Sequence, residues 1–237
     1  MSADPPVVLI TGATGPLGRQ AVKRFAADGA RLALAGTNRA RLAAVAAEAG
    51  VADDAWLPVV GDLRDRDAAG AVVAAVDQRF GRLDVLLHLI GGWAGGTPVV
   101  NLDAGEITSM LDQHLWTTFH LVQAVVPGMV ERGFGRLLAV SSPFAANPGA
   151  KGAGYAIAKA AEELLLRSLA REVSGSGVTA NVVVVRKIDA FHQREKAPDT
   201  KNAAWTTPEE IADTLAFLAS PAAAAVNGAR VTLDGRG

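Results

Sequence analysis

The feature that most constrains the fold is a regular alternation of short apolar runs with helical patterns over 237 residues. Each apolar run is rich in Val, Leu, Ile and Ala, as expected of a strand buried on both faces. We expect strands at 7–10, 32–35, 57–60, 85–90, 137–140, 178–185 and 230–233. Strands that alternate with helices form βαβ units, which predicts an α/β fold with a doubly wound parallel sheet of about seven strands.

No linker or internal repeat divides the chain, so the sequence predicts one domain over residues 1–237. Half of the residues are hydrophobic, which suits one sizeable core. We expect helices at the Ala-rich stretch 39–49, at a long segment 104–131, at 153–174 and at 208–219, besides those that follow the first and third strands.

Composition excludes several functions. A net charge of −1 gives no electrostatic footprint for nucleic acid or an anionic membrane. The chain has no cysteine, so disulfides, thiolate chemistry and Cys-ligated metals are excluded, and no metal is expected. Residues 1–6 lack the pattern of a signal peptide, and no apolar run is long enough to span a membrane, so we expect a cytoplasmic protein.

A glycine-rich turn, Thr11–Gly18, follows the first strand and opens a helix. Glycines here permit a tight turn and close backbone approach, while the helix N-terminus offers amides to a pyrophosphate. This placement favours a Rossmann-type dinucleotide site over a plain structural turn. The candidate cofactor-binding residues of the turn are Gly12, Thr14, Gly15, Pro16, Leu17 and Gly18.

The end of the second strand should decide the type of dinucleotide. An acidic residue there would accept from the adenosine ribose and repel a 2′-phosphate. The chain instead has Thr37, Asn38 and Arg39, all possible phosphate donors, so NADP is preferred over NAD. The alternative for Arg39 is a solvated helix start. Asp62 and Leu63 follow the third strand and are expected beside the adenine, with a helix cap as the alternative for Asp62.

Tyr155 and Lys159 lie four residues apart at the start of a helical pattern, so their side chains share one face. A free tyrosine has a pKa of about 10, and lowering it by three units needs about 4 kcal/mol. An ammonium about 4 Å away supplies roughly that much in a dielectric near 20. The two residues can therefore form an acid/base pair, with Ser142 at the end of a neighbouring strand holding a substrate oxygen. The alternative is a packed tyrosine beside a solvated lysine.

With these residues assembled, the chain resembles the short-chain dehydrogenase/reductase family over essentially its whole length. Tyr155 lies thirteen positions after Ser142, the usual interval. The resemblance is carried by Thr11–Gly18, Asp62, Ser142, Tyr155, Lys159, Pro208–Ala212 and Leu233–Gly235. It implies NAD(P)-dependent hydride transfer between a nicotinamide and a small carbonyl or alcohol. Tyr155 would be the acid/base, Lys159 would lower its pKa and hold the ribose, and Ser142 would orient the substrate.

Four positions depart from the family pattern. Pro16 stands where shorter members have a glycine, and His88-Leu89-Ile90-Gly91 replaces Asn-Asn-Ala-Gly. His114 stands for an asparagine that belongs to a water-linked proton relay, and we expect it to donate to a relay water or to be a packing substitute. Val185-Arg186 replaces the Pro-Gly beside the nicotinamide, although Ile188 still matches the family there.

The segment Gly91–Gly96 is similar to one in the family's quinonoid dihydropteridine reductases, a branch that lacks the serine. Gly91 and Gly92 are expected to let the backbone lie against the cofactor. Trp93 is a candidate wall for a flat substrate, with plain packing as the alternative.

The polar segment 186–204 is a candidate substrate lid, with Phe191 facing the pocket; the alternative is a mobile surface loop.

Three functions remain open from the sequence. The first is a reductase or dehydrogenase of a small carbonyl/alcohol pair. The second is a pterin or quinonoid reductase, and the third is a catalytically weak NADP-binding sensor or partner protein. A homotetramer or homodimer is expected, because the helices at 104–131 and 153–174 have apolar residues beyond one core-facing stripe.

Overall fold

The computed structural model describes residues 4–235 and contains one parallel sheet of seven strands. The strand order is β3-β2-β1-β4-β5-β6-β7, and all six pairings are parallel. The strands are β1 (Val7–Thr11), β2 (Arg31–Gly36), β3 (Trp56–Val60), β4 (Val85–His88), β5 (Gly135–Ser141), β6 (Val178–Val185) and β7 (Arg230–Leu233). The predicted doubly wound α/β fold is confirmed.

Helices cover both faces of the sheet. They are α1 (Pro16–Ala27), α2 (Arg39–Glu48), α3 (Arg66–Phe80), α4 (Ala104–Leu111), α5 (Thr117–Arg132), α6 (Ala153–Glu172), α7 (Gln193–Lys196) and α8 (Pro208–Ala219). Consecutive strand residues point to opposite faces, so they feed two separate cores. Leu9 packs in the core under α3, α5 and α6, whereas its neighbour Ile10 packs in the core under α1, α2 and α8.

The strand order reverses at β1, which pairs with β2 on one side and with β4 on the other. In open α/β sheets, ligands bind beyond the carboxyl ends of the strands at such a switch point. Thr11, His88 and Ser141 are the last residues of β1, β4 and β5, so the loops that follow these strands meet at one edge. This edge is where the sequence places its candidate site.

Two predicted elements differ in detail. β4 ends at His88 rather than at residue 90, because the chain turns away from the sheet before Gly91, whose φ is +154°. The long helix expected at 104–131 is present but contains a π-helical turn at Asp112–Trp116, between α4 and α5. Such turns insert a residue into the helical ladder and are frequent at functional sites.

Between residues 4 and 235, no helix is both long and apolar enough to cross a membrane. In the same range no group of three or more His, Asp or Glu side chains is arranged to hold a metal ion. The signal-peptide expectation concerns residues 1–6, of which the first three lie outside the described residues.

Candidate active site

The glycine turn between β1 and α1 is closely packed against the loop that follows β4. Gly12 has a φ of +67°, and a Cβ added there would lie 2.7 Å from the carbonyl oxygen of Leu89. A Cβ at Gly18 would lie 2.2 Å from the carbonyl oxygen of Gly12. These contacts require glycine at both positions, because any side chain would displace main chain.

The start of α1 suits a phosphate group. Gly15 is the N-cap residue, Pro16 is in the first turn, and no acidic residue lies in that turn. The helix end therefore presents amides and the positive end of the helix dipole without a competing carboxylate. This chemistry fits the pyrophosphate of a dinucleotide.

One cavity of about 570 Å³ begins at this turn, and we call it the Tyr155 cavity. It joins the glycine turn to the ends of β4, β5 and β6 and to the start of α6. Its lining includes Gly12, Gly15, Pro16, Leu17, Gly18, Leu89, Ile90, Gly91, Gly92, Trp93, His114, Val140, Ser141, Ser142, Phe144, Tyr155, Lys159, Val185, Arg186, Lys187 and Ile188. Ser142, Tyr155 and Lys159 thus share one cavity with the glycine turn.

Ser142 follows the last residue of β5 and is 5% exposed. It caps a short 3₁₀ turn, because its Oγ accepts a hydrogen bond from the amide of Phe144 at 3.3 Å. Because Ser142 is the acceptor in this contact, its hydroxyl proton remains available for donation to a ligand in the cavity. The capped turn therefore holds Ser142 as a donor at the cavity wall.

Tyr155 is held by two ring contacts. The rings of His114 and Phe144 lie 5.6 Å and 6.2 Å from the Tyr155 ring, both in edge arrangements. Edge contacts of this kind fix the plane of an aromatic ring. The phenol is thereby directed from the first turns of α6 into the cavity.

Lys159 is 5% exposed, so the alternative of a solvated lysine is wrong. Its Nζ donates to the carbonyl oxygen of Val140 at 2.8 Å and to Oε2 of Glu162 at 2.7 Å. An ammonium has three N–H groups. Two of them are used by these partners, and the third is available toward the cavity that Lys159 lines.

His114 lies in the π-helical turn and is 1% exposed. Burial lowers its pKa to about 3, and the charge of Lys159 adds to the shift, so the ring is neutral. Its Nε2 lies 3.0 Å from the carbonyl oxygen of Gly92 and must carry the proton to donate there. Nδ1 is buried, and no residue of the described chain donates to it.

This geometry corrects the expectation that His114 donates to a relay water. The ring's one proton is committed to Gly92, so His114 offers only an acceptor at Nδ1. The ring also explains a glycine, because a Cβ at Gly91 would lie 2.3 Å from its Cε1. Gly91 therefore makes room for His114, besides lining the cavity with Gly92.

His88, which replaces the first asparagine of the family pattern, lies behind the cavity and is 3% exposed. Its Nδ1 lies 3.0 Å from the Thr11 hydroxyl, and its Nε2 lies 3.1 Å from the Thr117 hydroxyl. Burial lowers its pKa to about 3, aided by Lys159. The neutral ring ties β1 and β4 to the start of α5.

The residues expected to select the dinucleotide lie at the carboxyl end of β2, outside the Tyr155 cavity. Thr37, Asn38 and Arg39 are all exposed. Asn38 is the N-cap of α2, because its Oδ1 accepts from the amide of Arg41 at 3.0 Å. Its side-chain NH₂ and the Arg39 guanidinium remain possible donors. Thr14 belongs to the glycine turn but does not line the cavity, and its carbonyl oxygen accepts from Nε of Arg19.

Asp62 follows β3 and binds Arg64. The Arg64 guanidinium donates to both carboxylate oxygens, at 2.9 Å to Oδ1 and 2.5 Å to Oδ2, and lowers the pKa of Asp62. The cap of α3 is Asp65, so the helix-cap alternative for Asp62 is wrong. Leu63 is 3% exposed and packs in the core, which leaves only its main chain for a ligand.

Of the predicted substrate residues, Trp93 lines the cavity and Phe191 does not. Trp93 lines the cavity and is 63% exposed, as a wall at its mouth would be. Phe191 is 75% exposed and is not part of the cavity lining, so its predicted position facing the pocket is wrong. Ile188 lines the cavity and pairs with Thr206.

The segment 186–204 folds onto α8 instead of lying across the cavity mouth. The Asp189 carboxylate accepts from the amides of Gln193 and Arg194 at 2.8 Å and so caps α7. Arg194 in turn donates to Glu210 of α8 at 2.5 Å. Only its first residues, through Ile188, line the cavity, and its action as a lid stays a prediction.

Two residues near the site were missed from the sequence. Glu162 is 1% exposed and binds Lys159, and Thr118, which is 2% exposed, donates to Glu162 Oε1 at 3.1 Å. A signal was present, since position 162 lies on the helix face of Ala158 and Leu166, spaced four residues either way. A carboxylate on an otherwise apolar face marks a buried charge in need of a partner.

Together, the parallel sheet, the glycine turn at its switch point and the Ser, Tyr and Lys side chains in one cavity define a Rossmann-type oxidoreductase. Comparisons with known proteins narrow this class. The model of the short chain dehydrogenase family matches residues 6–201. The chain therefore belongs to the short-chain dehydrogenase family, and it is an oxidoreductase acting on CH–OH or C=O groups.

Characterised relatives match almost the whole chain. The (2S)-[(R)-hydroxy(phenyl)methyl]succinyl-CoA dehydrogenase subunit BbsC of Thauera aromatica is 34% identical over 227 residues, which cover 94% of this chain and 90% of the relative. D-threitol dehydrogenase of Mycolicibacterium smegmatis is 31% identical, with coverage of 98% and 92%. The crystal structure of levodione reductase superposes with a TM-score of 0.87 at 29% identity, over 97% of this chain and 96% of that one.

Proposed function

We propose that this protein transfers a hydride between NADP(H) and a small carbonyl or alcohol substrate by Ser-Tyr-Lys catalysis. The observation that carries the proposal is the placement of Ser142, Tyr155 and Lys159 around the same cavity as the glycine turn. A nicotinamide dinucleotide, when bound, supplies or accepts the hydride. The protein's residues bind, orient and move the proton.

Proton transfer falls to Tyr155. In reduction its phenol donates a proton to the substrate oxygen as the carbonyl becomes an alcohol, and in oxidation the phenolate takes that proton back. Ser142 donates a hydrogen bond to the same oxygen, which orients the substrate. The third N–H of Lys159 faces the cavity and is the group that would hold the ribose of the dinucleotide.

The preference for NADP rests on the end of β2. The turn into α2 consists of Thr37, Asn38 and Arg39, so it has no carboxylate, and all three residues are exposed. A 2′-phosphate would meet donors there instead of a negative charge. NAD remains the alternative dinucleotide.

Cofactor preference can be tested by titration. Trp93 at the cavity mouth makes tryptophan fluorescence a suitable readout. NADPH should bind more tightly than NADH, and Arg39→Ala should weaken NADPH but not NADH. Arg41→Ala on the same helix is the matched control and should change neither. Equal or stronger NADH binding by the unaltered protein would contradict the NADP assignment.

Catalysis is tested with Tyr155→Phe, which removes the phenolic proton but keeps the ring. A panel of carbonyl compounds must first yield a substrate. Turnover should then fall by at least ~10²-fold, within the usual effect of general acid–base catalysis, while NADPH affinity hardly changes. Near-normal turnover by Tyr155→Phe would refute the acid/base role.

Two other functions have a specific observation in their favour. Glu162 binds the Lys159 ammonium at 2.7 Å and offsets its positive charge. This pairing favours a catalytically weak NADP-binding protein. Tight NADPH binding without turnover of any carbonyl or alcohol would support that function. Trp93 at the mouth favours a flat quinonoid or pterin substrate, so such compounds belong in the panel.

We also propose that the protein assembles as a homodimer or homotetramer. α4 packs against α6 within the protomer, yet large apolar side chains on this side of the molecule remain exposed. Trp116, Ile157 and Leu164 are 44%, 46% and 62% exposed. Burial of this surface against a second copy would remove it from water.

A further inference from the structure

We propose that Glu162 is a positioning residue of the active site that neutralises the Lys159 ammonium and thereby reduces the positive charge that Tyr155 experiences. The inference rests on the acid/base role proposed above for Tyr155. Glu162 does not line the Tyr155 cavity, so it acts through Lys159. It adds a fourth side chain to the Ser142, Tyr155 and Lys159 set.

The geometry places the carboxylate behind the ammonium. Glu162 lies one helical turn beyond Lys159 on α6, and Tyr155 lies one turn before it. Oε2 of Glu162 is 2.7 Å from Nζ of Lys159, on a side chain that is 1% exposed. At this separation and burial the two charges form a neutral pair, so Tyr155 experiences a dipole instead of a full positive charge.

Further contacts hold the carboxylate in this position. The single proton of the Thr118 hydroxyl is shared between two acceptors, the carbonyl oxygen of His114 at 2.6 Å and Oε1 of Glu162 at 3.1 Å. Nζ of Lys159 is fixed from its other side by the carbonyl oxygen of Val140. Two of the three N–H groups of Lys159 are therefore bound by acceptors. The third N–H is the one left to point toward the cavity.

The position of Glu162 argues for a role beyond packing. Its neighbours on the same helix face, Ala158 and Leu166, are apolar and buried. Burying a carboxylate is costly unless partners compensate, and an apolar residue would fill such a position at lower cost. Burial raises the pKa of Glu162 while Lys159 and Thr118 oppose the shift, so its negative charge depends on Lys159.

The two histidines near the pair contribute no charge. His114 in the π-helical turn and His88 on β4 each have a pKa lowered to about 3, chiefly by burial. Both are neutral over the whole range in which a phenol titrates. Lys159 and Glu162 are therefore charged groups within two helical turns of Tyr155 on α6, and the histidines beside them do not alter their effect.

Other charged groups approach from the remaining elements. Glu163, next on α6, is paired with Arg230 of β7 at 2.6 Å and accepts from Ser141 at 2.6 Å. Glu106 of α4 lies beside Gly154, the residue before Tyr155. Arg186 and Lys187, at the end of β6, line the cavity. Glu163 is therefore a matched control for Glu162, with the same chemistry on the same helix but a different cation as its partner.

The test exploits the fact that Tyr155 is the single tyrosine of the chain. Phenolate absorbance during an alkaline titration therefore reports on this residue alone, without substrate or cofactor, and Tyr155→Phe gives the blank. Glu162→Gln should lower the titration midpoint by about one pH unit, the usual effect of a nearby charge. Glu163→Gln should lower it much less. Tryptophan fluorescence at each pH verifies that the variants remain folded.

A double-variant cycle checks the two charges separately. Lys159→Met removes the ammonium, so its midpoint should lie above that of Glu162→Gln, in which the ammonium has lost its partner. Lys159→Met/Glu162→Gln also lacks the ammonium, and its midpoint should lie above that of Glu162→Gln and at or below that of Lys159→Met. An unchanged midpoint in Glu162→Gln, or a shift equal to that of Glu163→Gln, would overturn the proposal. If Glu162→Gln does not fold, Glu162→Met replaces it, because an apolar side chain suits this helix face, and an unchanged midpoint in that variant would overturn the proposal.

The titration also separates this inference from the proposed function. A shifted midpoint in a protein that turns over no carbonyl would support the charge pair and refute the activity. Turnover with an unshifted midpoint would refute only the role of Glu162. With a substrate in hand, the pH profile of turnover in Glu162→Gln should move to lower pH by the same amount as the phenol midpoint.

Discussion

Gly91→Ala is expected to disturb the site by displacing His114. Gly91 has a φ of +154°, and a Cβ there would lie 2.3 Å from Cε1 and 2.8 Å from Nδ1 of the His114 ring. The ring has no free direction in which to move, since it is 1% exposed, packs against Tyr155 and donates to the carbonyl oxygen of Gly92. Overpacking of a buried site costs about 1–3 kcal/mol. Loss of the hydrogen bond adds about 1 kcal/mol.

The free energy of unfolding should therefore fall by about 2–4 kcal/mol in urea denaturation, beyond the strain of the backbone itself. Gly96→Ala measures that strain alone, because Gly96 lies in the same loop with a φ of +111° and no atom within 4 Å of an added Cβ. Gly91→Ala/His114→Ala should recover part of the loss, since the smaller side chain removes the clash. Equal effects of Gly91→Ala and Gly96→Ala would refute the reasoning.

Three further predictions concern stability, binding and assembly. The folded-state pKa values of His88 and His114, about 3, lie below the ordinary 6.5, so the unfolded state binds more protons and stability falls as the pH drops from 6.5 toward 3. The loss should reach about 1.4 kcal/mol per ring at about pH 5.5 in urea titrations, and a flat profile would contradict it. Ser142→Ala should mainly lower turnover, whereas Lys159→Met should also weaken NADPH in the fluorescence titration; equal affinities would exclude contact with the ribose. Leu164→Lys should yield a smaller species by light scattering, with Phe217→Lys on α8 as the exposed control, and a monomeric unaltered protein would contradict the assembly.

The fold was predictable because burial on both faces gives most strands a largely apolar run, as in 7–10, which lies within β1. The predicted strand 178–185 matches β6 from end to end, although it includes Thr179 and Asn181. The two boundaries that differed have local causes. Leu89 and Ile90 extend the apolar run of β4, but the chain leaves the sheet after His88 to reach the turn at Gly91. The π-helical turn in 112–116 has no period of its own, so a pattern spaced at 3.6 residues runs through it unchanged.

The site was predictable where spacing along one element sets proximity. Tyr155 and Lys159 are one helical turn apart, and both line the cavity. Side-chain directions in loops and contacts between elements were not predictable in this way. Asp62 pairs with Arg64 two residues away in the loop after β3, Phe191 is exposed, and the His114 proton is donated to Gly92. No periodicity of the sequence encodes these directions.

The unusual residues of the site are physically connected, so they should not be reverted one at a time. His88 binds the hydroxyl of Thr117, and Thr118, the next residue of α5, contacts both the carbonyl oxygen of His114 and the carboxylate of Glu162. Buried polar networks of this kind act as units, because removing one member leaves its partners unsatisfied. Asparagine at position 88 would therefore meet threonine hydroxyls placed for an imidazole, whereas asparagine at position 114 would lose the ring's edge contact with Tyr155 and its hydrogen bond to Gly92. The chain's departures from the family pattern around Lys159 are better understood as one rearrangement centred on the first turn of α5.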